Sequence, residues 1–214
     1  MRELKLPGVE ASAALFGKGA TVFVLGHGAG GDRRTPMLVA LAETLAASGR
    51  AALLYNFPYA EKGAGRPDPP AVLEATARSA AVVALESGAR TIVHGGRSLG
   101  GRIASQIVAQ GEPAAALAFL AYPLHPPGRP EQLRDAHLAK IRAPMLFVQG
   151  TRDAFAREDL LDGTIAGLAP RAELVRIADA DHSFRVLKRA GRAPADVLAE
   201  VEGALLGWLA RHGL

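Results

Sequence analysis

No cysteine occurs among the 214 residues, which excludes disulfides, thiolate-held metals and a thiolate nucleophile. Covalent catalysis by this chain would have to run through oxygen or nitrogen. An uncharged apolar run of about 18 residues, the length of a membrane-crossing helix, is missing too, and no membrane partner is expected. The opening Met1-Arg2-Glu3-Leu4-Lys5-Leu6-Pro7 holds no apolar core of the kind that marks a secretion signal, so a cytoplasmic location is the expectation. Positive charge is present without being concentrated. The net charge is +4 and the isoelectric point about 9.8, yet basic residues nowhere form a block of five or more, which argues against a nucleic-acid partner.

Hydrophobic residues make up 49% and charged residues 21% of the chain, a globular balance in a length that suits one domain spanning 1–214. Short runs rich in Val, Ile, Leu and Phe alternate with longer Ala-rich amphipathic stretches, the pattern of βα units around a mainly parallel sheet. Strands are expected near 21–25, 51–55, 91–94, 115–121, 145–149 and 173–177. Helices are expected near 35–48, 70–87, 100–110, 157–168 and 195–212, with Gly49 and Gly88 ending the first two. The segment before Gly19 is expected to add one or two edge strands. No internal repeat is visible. The Pro- and Gly-rich stretch 62–70 reads as a surface loop, and the two dozen residues between the strands near 121 and 145 leave little room for a cap domain.

Within this frame lies Gly96-Arg97-Ser98-Leu99-Gly100. The G-x-S-x-G pattern alone says little, because 24 glycines and 7 serines can produce it by chance. Its setting says more: it follows the apolar Thr91-Ile92-Val93-His94 and precedes a helical stretch, as a nucleophile elbow does. A serine hydroxyl needs a base, and the base an orienting acid. Asp153 follows the apolar run 145–149, and His182 follows the strand near 173–177. The order Ser98, Asp153, His182, each just past a strand, suits acyl transfer. Asp153 could instead cap the next helix, with Asp179 and Asp181 as substitute acids. Of the other histidines, His94 falls inside a strand, His125 and His137 in the Pro-rich stretch, and His212 in the last helix. An oxyanion hole would draw on the Leu99 amide and on the loop Gly26-His27-Gly28-Ala29-Gly30-Gly31, with Ala29 as its donor.

That loop also satisfies the dinucleotide fingerprint G-x-G-x-x-G, an oxidoreductase alternative, but no acid stands at the end of the next strand near 51–56. It is not a phosphate-binding P-loop, since Asp32-Arg33 occupies the place of Lys-Ser/Thr. A third possibility keeps the fold as a binding or scaffold module without turnover.

Taken in order, Gly26–Gly31, Asn56-Phe57-Pro58-Tyr59, Gly95–Arg102 and Ala180–Ser183 make the chain resemble small α/β-hydrolases of the dienelactone-hydrolase-like kind, above all the minimal bacterial ones sharing G-H-G-A-G-G, N-F-P-Y, G-G-R-S-[LM]-G-G-R and an A-D-H-S-like segment. The resemblance runs from about residue 21 to the C-terminus. It implies an α/β-hydrolase fold and a Ser98, Asp153, His182 triad, and little about the substrate. Dienelactone hydrolases proper use a cysteine nucleophile, which this chain lacks, so dienelactone itself is not expected as substrate.

The resulting expectation is a serine hydrolase acting on a small ester, thioester or activated amide, monomeric or homodimeric. No cofactor and no metal are expected, as no His and carboxylate spacing matches a known ligand set. Arg33, Arg34, Arg97, Arg102 and Arg152 fall near the carboxyl edge of the sheet, where ligands bind in such folds, and suggest an anionic substrate group with Arg97 closest. His27 and Gly28 are expected beside the substrate. Tyr55, Phe57 and Tyr59 form one wall, or Phe57 is core and Tyr59 alone is exposed.

Overall fold

The structure, a computed structural model, describes all 214 residues. Eight strands form one sheet: β1 (Arg2–Lys5), β2 (Ser12–Gly17), β3 (Thr21–Gly26), β4 (Ala51–Tyr55), β5 (Thr91–Arg97), β6 (Ala116–Leu120), β7 (Met145–Gly150) and β8 (Ala172–Ile177). Their order is β1-β2-β4-β3-β5-β6-β7-β8. The first two strands run antiparallel at one edge, and from β4 to β8 every pairing is parallel. Of the one or two edge strands expected before Gly19, two form, β1 at the edge and β2 between it and β4.

The continuous apolar runs are explained by burial on both faces. Successive strand side chains point to opposite sides of the sheet. Phe23 and Leu25 of β3, Leu54 of β4 and Val148 of β7 pack on one face, against α1 (Pro36–Ala47) and α6 (Pro194–His212). Val22, Val24 and Leu53 face the other side, against α3 (Pro70–Glu86) and α4 (Leu99–Ala109). Farther along that side, Phe119, Met145 and Phe147 pack against α5 (Glu158–Leu168). The short α2 (Pro58–Glu61) was not expected. Between β6 and β7 the chain makes one 3-10 turn, Leu138–Lys140, and tucks Leu124, Leu138 and Ile141 into the core, so no cap domain covers the sheet edge.

His94 lies inside β5, buried, with Nε2 3.2 Å from the Pro113 carbonyl. Burial pulls its pKa down to about 4. Its pKa in the unfolded chain is about 6.5, so between these values the unfolded chain holds a proton that the folded one does not. Stability is then intact above about pH 6.5 and falls as the pH drops toward 4, by about 3 kcal/mol in the limit. Urea unfolding at pH 7 and pH 4 is expected to show His94→Gln losing less stability on acidification than the native chain, by about that amount.

Candidate active site

The pattern at 96–100 forms a tight strand-to-helix turn. β5 ends at Arg97, α4 begins at Leu99, and Ser98 between them holds φ 50 and ψ −111, a conformation that costs a side-chain-bearing residue about 1–3 kcal/mol. The Ser98 amide donates to the Leu120 carbonyl at 2.9 Å, and the Gly100 amide to the His27 carbonyl at 3.0 Å. Two glycines let the turn close on β3. A Cβ on Gly96 would lie 2.2 Å from the Gly26 oxygen, and one on Gly100 2.1 Å from the same atom. Because the obstacle is backbone, Gly100→Ala is expected to destabilise the fold by about 3 kcal/mol or more, read as a lower urea midpoint.

The structure brings Ser98, Asp153 and His182 together. His182 Nε2 lies 2.8 Å from Ser98 Oγ, and its Nδ1 2.7 Å from Asp153 Oδ2. The Asp153 side chain is fully buried, while His182 is 18% exposed. With the Nδ1 proton held by the carboxylate, Nε2 presents its lone pair to the serine hydroxyl. Asp153 does not cap a helix: α5 starts at Glu158 with Arg157 as its N-cap. Asp153 Oδ1 instead accepts from the Phe155 amide at 2.8 Å. Of the substitute acids, Asp181 is spent within its own turn, its Oδ1 accepting from the amides of Ser183 at 2.8 Å and Arg185 at 3.0 Å.

Two further residues complete this arrangement and were not singled out from the sequence. Gln149, at the buried end of β7, donates from Nε2 to Asp153 Oδ2 at 2.6 Å and accepts the Tyr122 amide at 2.8 Å. Phe155 stacks on the His182 ring, with centroids 4.1 Å apart and planes 26° apart. The available signal for Gln149 was a lone polar residue in the apolar run Met145-Leu146-Phe147-Val148-Gln149.

The glycine loop is braced by the segment 56–59. His27 is buried and donates from Nδ1 to the Gly28 carbonyl at 2.8 Å, leaving Nε2 to accept the Phe57 amide at 3.1 Å. Burial lowers its pKa, consistent with a neutral ring holding the loop. Asn56 Oδ1 accepts the Arg33 amide at 2.7 Å, and the Tyr59 hydroxyl donates to the Ala29 carbonyl at 3.0 Å. Tyr59 is only 3% exposed. The expectation of an exposed Tyr59 is thereby corrected: the single turn of α2 swings the ring inward, behind the loop, and Tyr55 and Phe57 are core as well. Gly28 approaches the serine, since a Cβ on it would lie 3.6 Å from Ser98 Cβ. Ala29 is exposed one residue farther on. The loop does not run into a helix as a dinucleotide site requires, because α1 begins only at Pro36.

The arginines have separate destinations. Arg33 is buried and forms a two-pronged ion pair with Glu3, at 2.7 Å and 3.2 Å. Arg152 reaches the Asp179 carbonyl at 3.3 Å. Arg97 Nη2 donates to the His182 carbonyl and to Ser183 Oγ, each at 3.1 Å. His125 and His137 pin the 121–144 segment: His125 Nε2 accepts the Arg157 amide at 2.9 Å, and His137 Nε2 lies 2.7 Å from Ser105 Oγ of α4. No three His, Asp or Glu residues group as metal ligands, and no helix is long and apolar enough to cross a membrane.

Comparison with known proteins agrees with this architecture. A solved α/β serine hydrolase homologue from Coxiella burnetii is 19% identical, with a TM-score of 0.75 over 96% of this chain and 95% of that one. A dienelactone hydrolase from Anabaena variabilis is 21% identical, with a TM-score of 0.72 over 98% and 95%. An α/β serine hydrolase without lid from Xanthomonas campestris is 20% identical, with a TM-score of 0.69 over 92% and 89%. The family model described as "Alpha/beta hydrolase domain" matches residues 19–210. The chain belongs to the α/β-hydrolase family.

Proposed function

We propose that this protein is a serine hydrolase that cleaves small esters, thioesters or activated amides through an acyl-enzyme. The observation that carries this reading is the run Ser98 Oγ, His182 Nε2, His182 Nδ1, Asp153 Oδ2 at 2.8 Å and 2.7 Å. In the first step Ser98 Oγ bonds to the substrate carbonyl carbon while His182 Nε2 takes the hydroxyl proton, and Asp153 stabilises the imidazolium. The negative oxygen is held by the Leu99 amide, at the start of α4 where amides lack intrahelical partners, and by the Ala29 amide. The leaving group departs with the proton from His182. Water then attacks the acyl carbon, His182 again acting as base, and Ser98 is released. The protein's partner is a small molecule, and neither metal nor organic cofactor has a role in these steps.

Substrate size follows from openness. No cap rises over Ser98 and His182, and neither lines the apolar cleft that begins at Ser183 beside Met37 and Leu187, so a long acyl chain finds no enclosed apolar wall at the serine. Short neutral esters such as 4-nitrophenyl acetate and butyrate are expected to turn over with a higher kcat/KM than the decanoate. A folded native chain inert to all three would refute the reading, and a decanoate preference would refute its substrate range.

A further inference from the structure

Arg97 stands immediately before Ser98, as the last residue of β5. Its Nη2 holds the His182 carbonyl and the Ser183 hydroxyl, both at 3.1 Å. Its Nη1 lies over the glycine loop, where a Cβ on Gly28 would come within 2.7 Å of it. One half-buried arginine, its backbone at the start of the serine turn, therefore reaches with its guanidinium both the histidine loop and the glycine loop. A planar, delocalised fork can point donors in several fixed directions, which a lysine ammonium on a flexible stem does not reproduce.

We propose that Arg97 is a positioning residue: it locks the backbone of His182 to the serine turn, so that Nε2 stays in line with Ser98 Oγ, and it is not the receptor of a substrate anion. This rests on the hydrolase reading above. The Asp181 carboxylate closes the 181–185 turn upon itself, the Arg152 amide holds the Ala180 carbonyl at 2.9 Å, Phe184 is buried in the core and Phe155 covers one face of the ring, but none of these bonds the His182 carbonyl itself. Asp153 fixes the far nitrogen, from β7. Arg97 ties the turn to the residue adjoining the nucleophile. An anion bound at Nη2 would have to displace the His182 carbonyl and the Ser183 hydroxyl, undoing that tie.

The test compares native, Arg97→Ala, Arg97→Lys and Ser183→Ala chains with 4-nitrophenyl acetate, with and without millimolar guanidinium chloride, against equal sodium chloride. Misplacing a catalytic group by about 1 Å can cost about 10²-fold in rate. Arg97→Ala is therefore expected to lose on that order in kcat with KM little changed, Arg97→Lys to recover little, and Ser183→Ala to lose less because the carbonyl bond remains. Guanidinium, and not sodium, restores part of the Arg97→Ala rate. Undiminished kcat in Arg97→Ala overturns the proposal. So does a loss confined to the KM of anionic esters such as mono-4-nitrophenyl succinate, which would make Arg97 a substrate contact. A second readout does not depend on turnover: the downfield proton NMR signal of the His182–Asp153 hydrogen bond is expected to broaden in Arg97→Ala and to sharpen with guanidinium. A chain inert to esters whose signal still depends on Arg97 refutes the hydrolase reading and leaves the strut in place. A signal identical in native and Arg97→Ala chains refutes the strut, whatever the activity.

Discussion

Replacing Ser98 by alanine is expected to lower kcat for 4-nitrophenyl acetate by about 10⁴- to 10⁶-fold while leaving the chain folded. Removing Oγ takes away the atom that bonds to the acyl group and leaves His182 and Asp153 in place with nothing to activate. The residual rate would come from binding and oxyanion stabilisation alone. Stability is expected to move differently with the choice of replacement. Alanine keeps a Cβ at φ 50 and so keeps the strain, whereas glycine adopts that conformation freely. Ser98→Gly is therefore expected to lose as much activity as Ser98→Ala yet to unfold with a Tm about 2–4 °C higher, the size of about 1 kcal/mol of relieved strain in a chain of this length. An equal Tm for the two variants would mean that the strain relieved is no larger than the extra chain entropy glycine loses on folding, about 0.4–1 kcal/mol.

Asp153→Asn is expected to be nearly as damaging, at about 10⁴-fold in kcat, and the reason lies in what surrounds the carboxylate. The three groups it meets are Gln149 Nε2, the Phe155 amide and His182 Nδ1, and each has a proton to give. A carboxylate accepts all three. An asparagine amide must turn its NH₂ toward one of them, and the imidazole can relieve the clash by moving its proton to Nε2, where it no longer accepts from Ser98. The loss should appear in kcat rather than KM, because the substrate does not touch Asp153 in this mechanism. A variant that kept near-native kcat would show that His182 works without its acid.

Much of the fold could be read from residue order. Runs such as Thr21-Val22-Phe23-Val24-Leu25 and Met145-Leu146-Phe147-Val148 carry apolar side chains on both strand faces and so announce a sheet covered on both sides, and Ser98, Asp153 and His182 each follow a strand, though β8 before His182 is more polar, with Glu173 and Arg176. What escaped depended on long-range packing. β5 was expected to end at His94 and continues to Arg97, since Gly95 and Gly96 have weak strand preference of their own but sit where the neighbouring backbone comes too close for any side chain. α2 spans four residues, too few to show a helical period. The twenty arginines of the chain gave no sign of their targets: Arg33 finds Glu3 and Arg97 finds the carbonyl of His182, pairings separated by 30 and 85 positions. Tyr59 illustrates the same limit, because its inward turn is set by the carbonyls of a loop 30 residues earlier.

In this mechanism His182 makes the Ser98 hydroxyl nucleophilic. That activation is tested most directly by treating native, Ser98→Ala and His182→Ala chains with a fluorophosphonate probe and mapping the adduct by peptide mass spectrometry. One adduct per native chain is expected, on the peptide containing Ser98, with none on Ser98→Ala and strongly slowed labelling of His182→Ala. Labelling that persists in Ser98→Ala, or a folded native chain that takes no label, would contradict the mechanism.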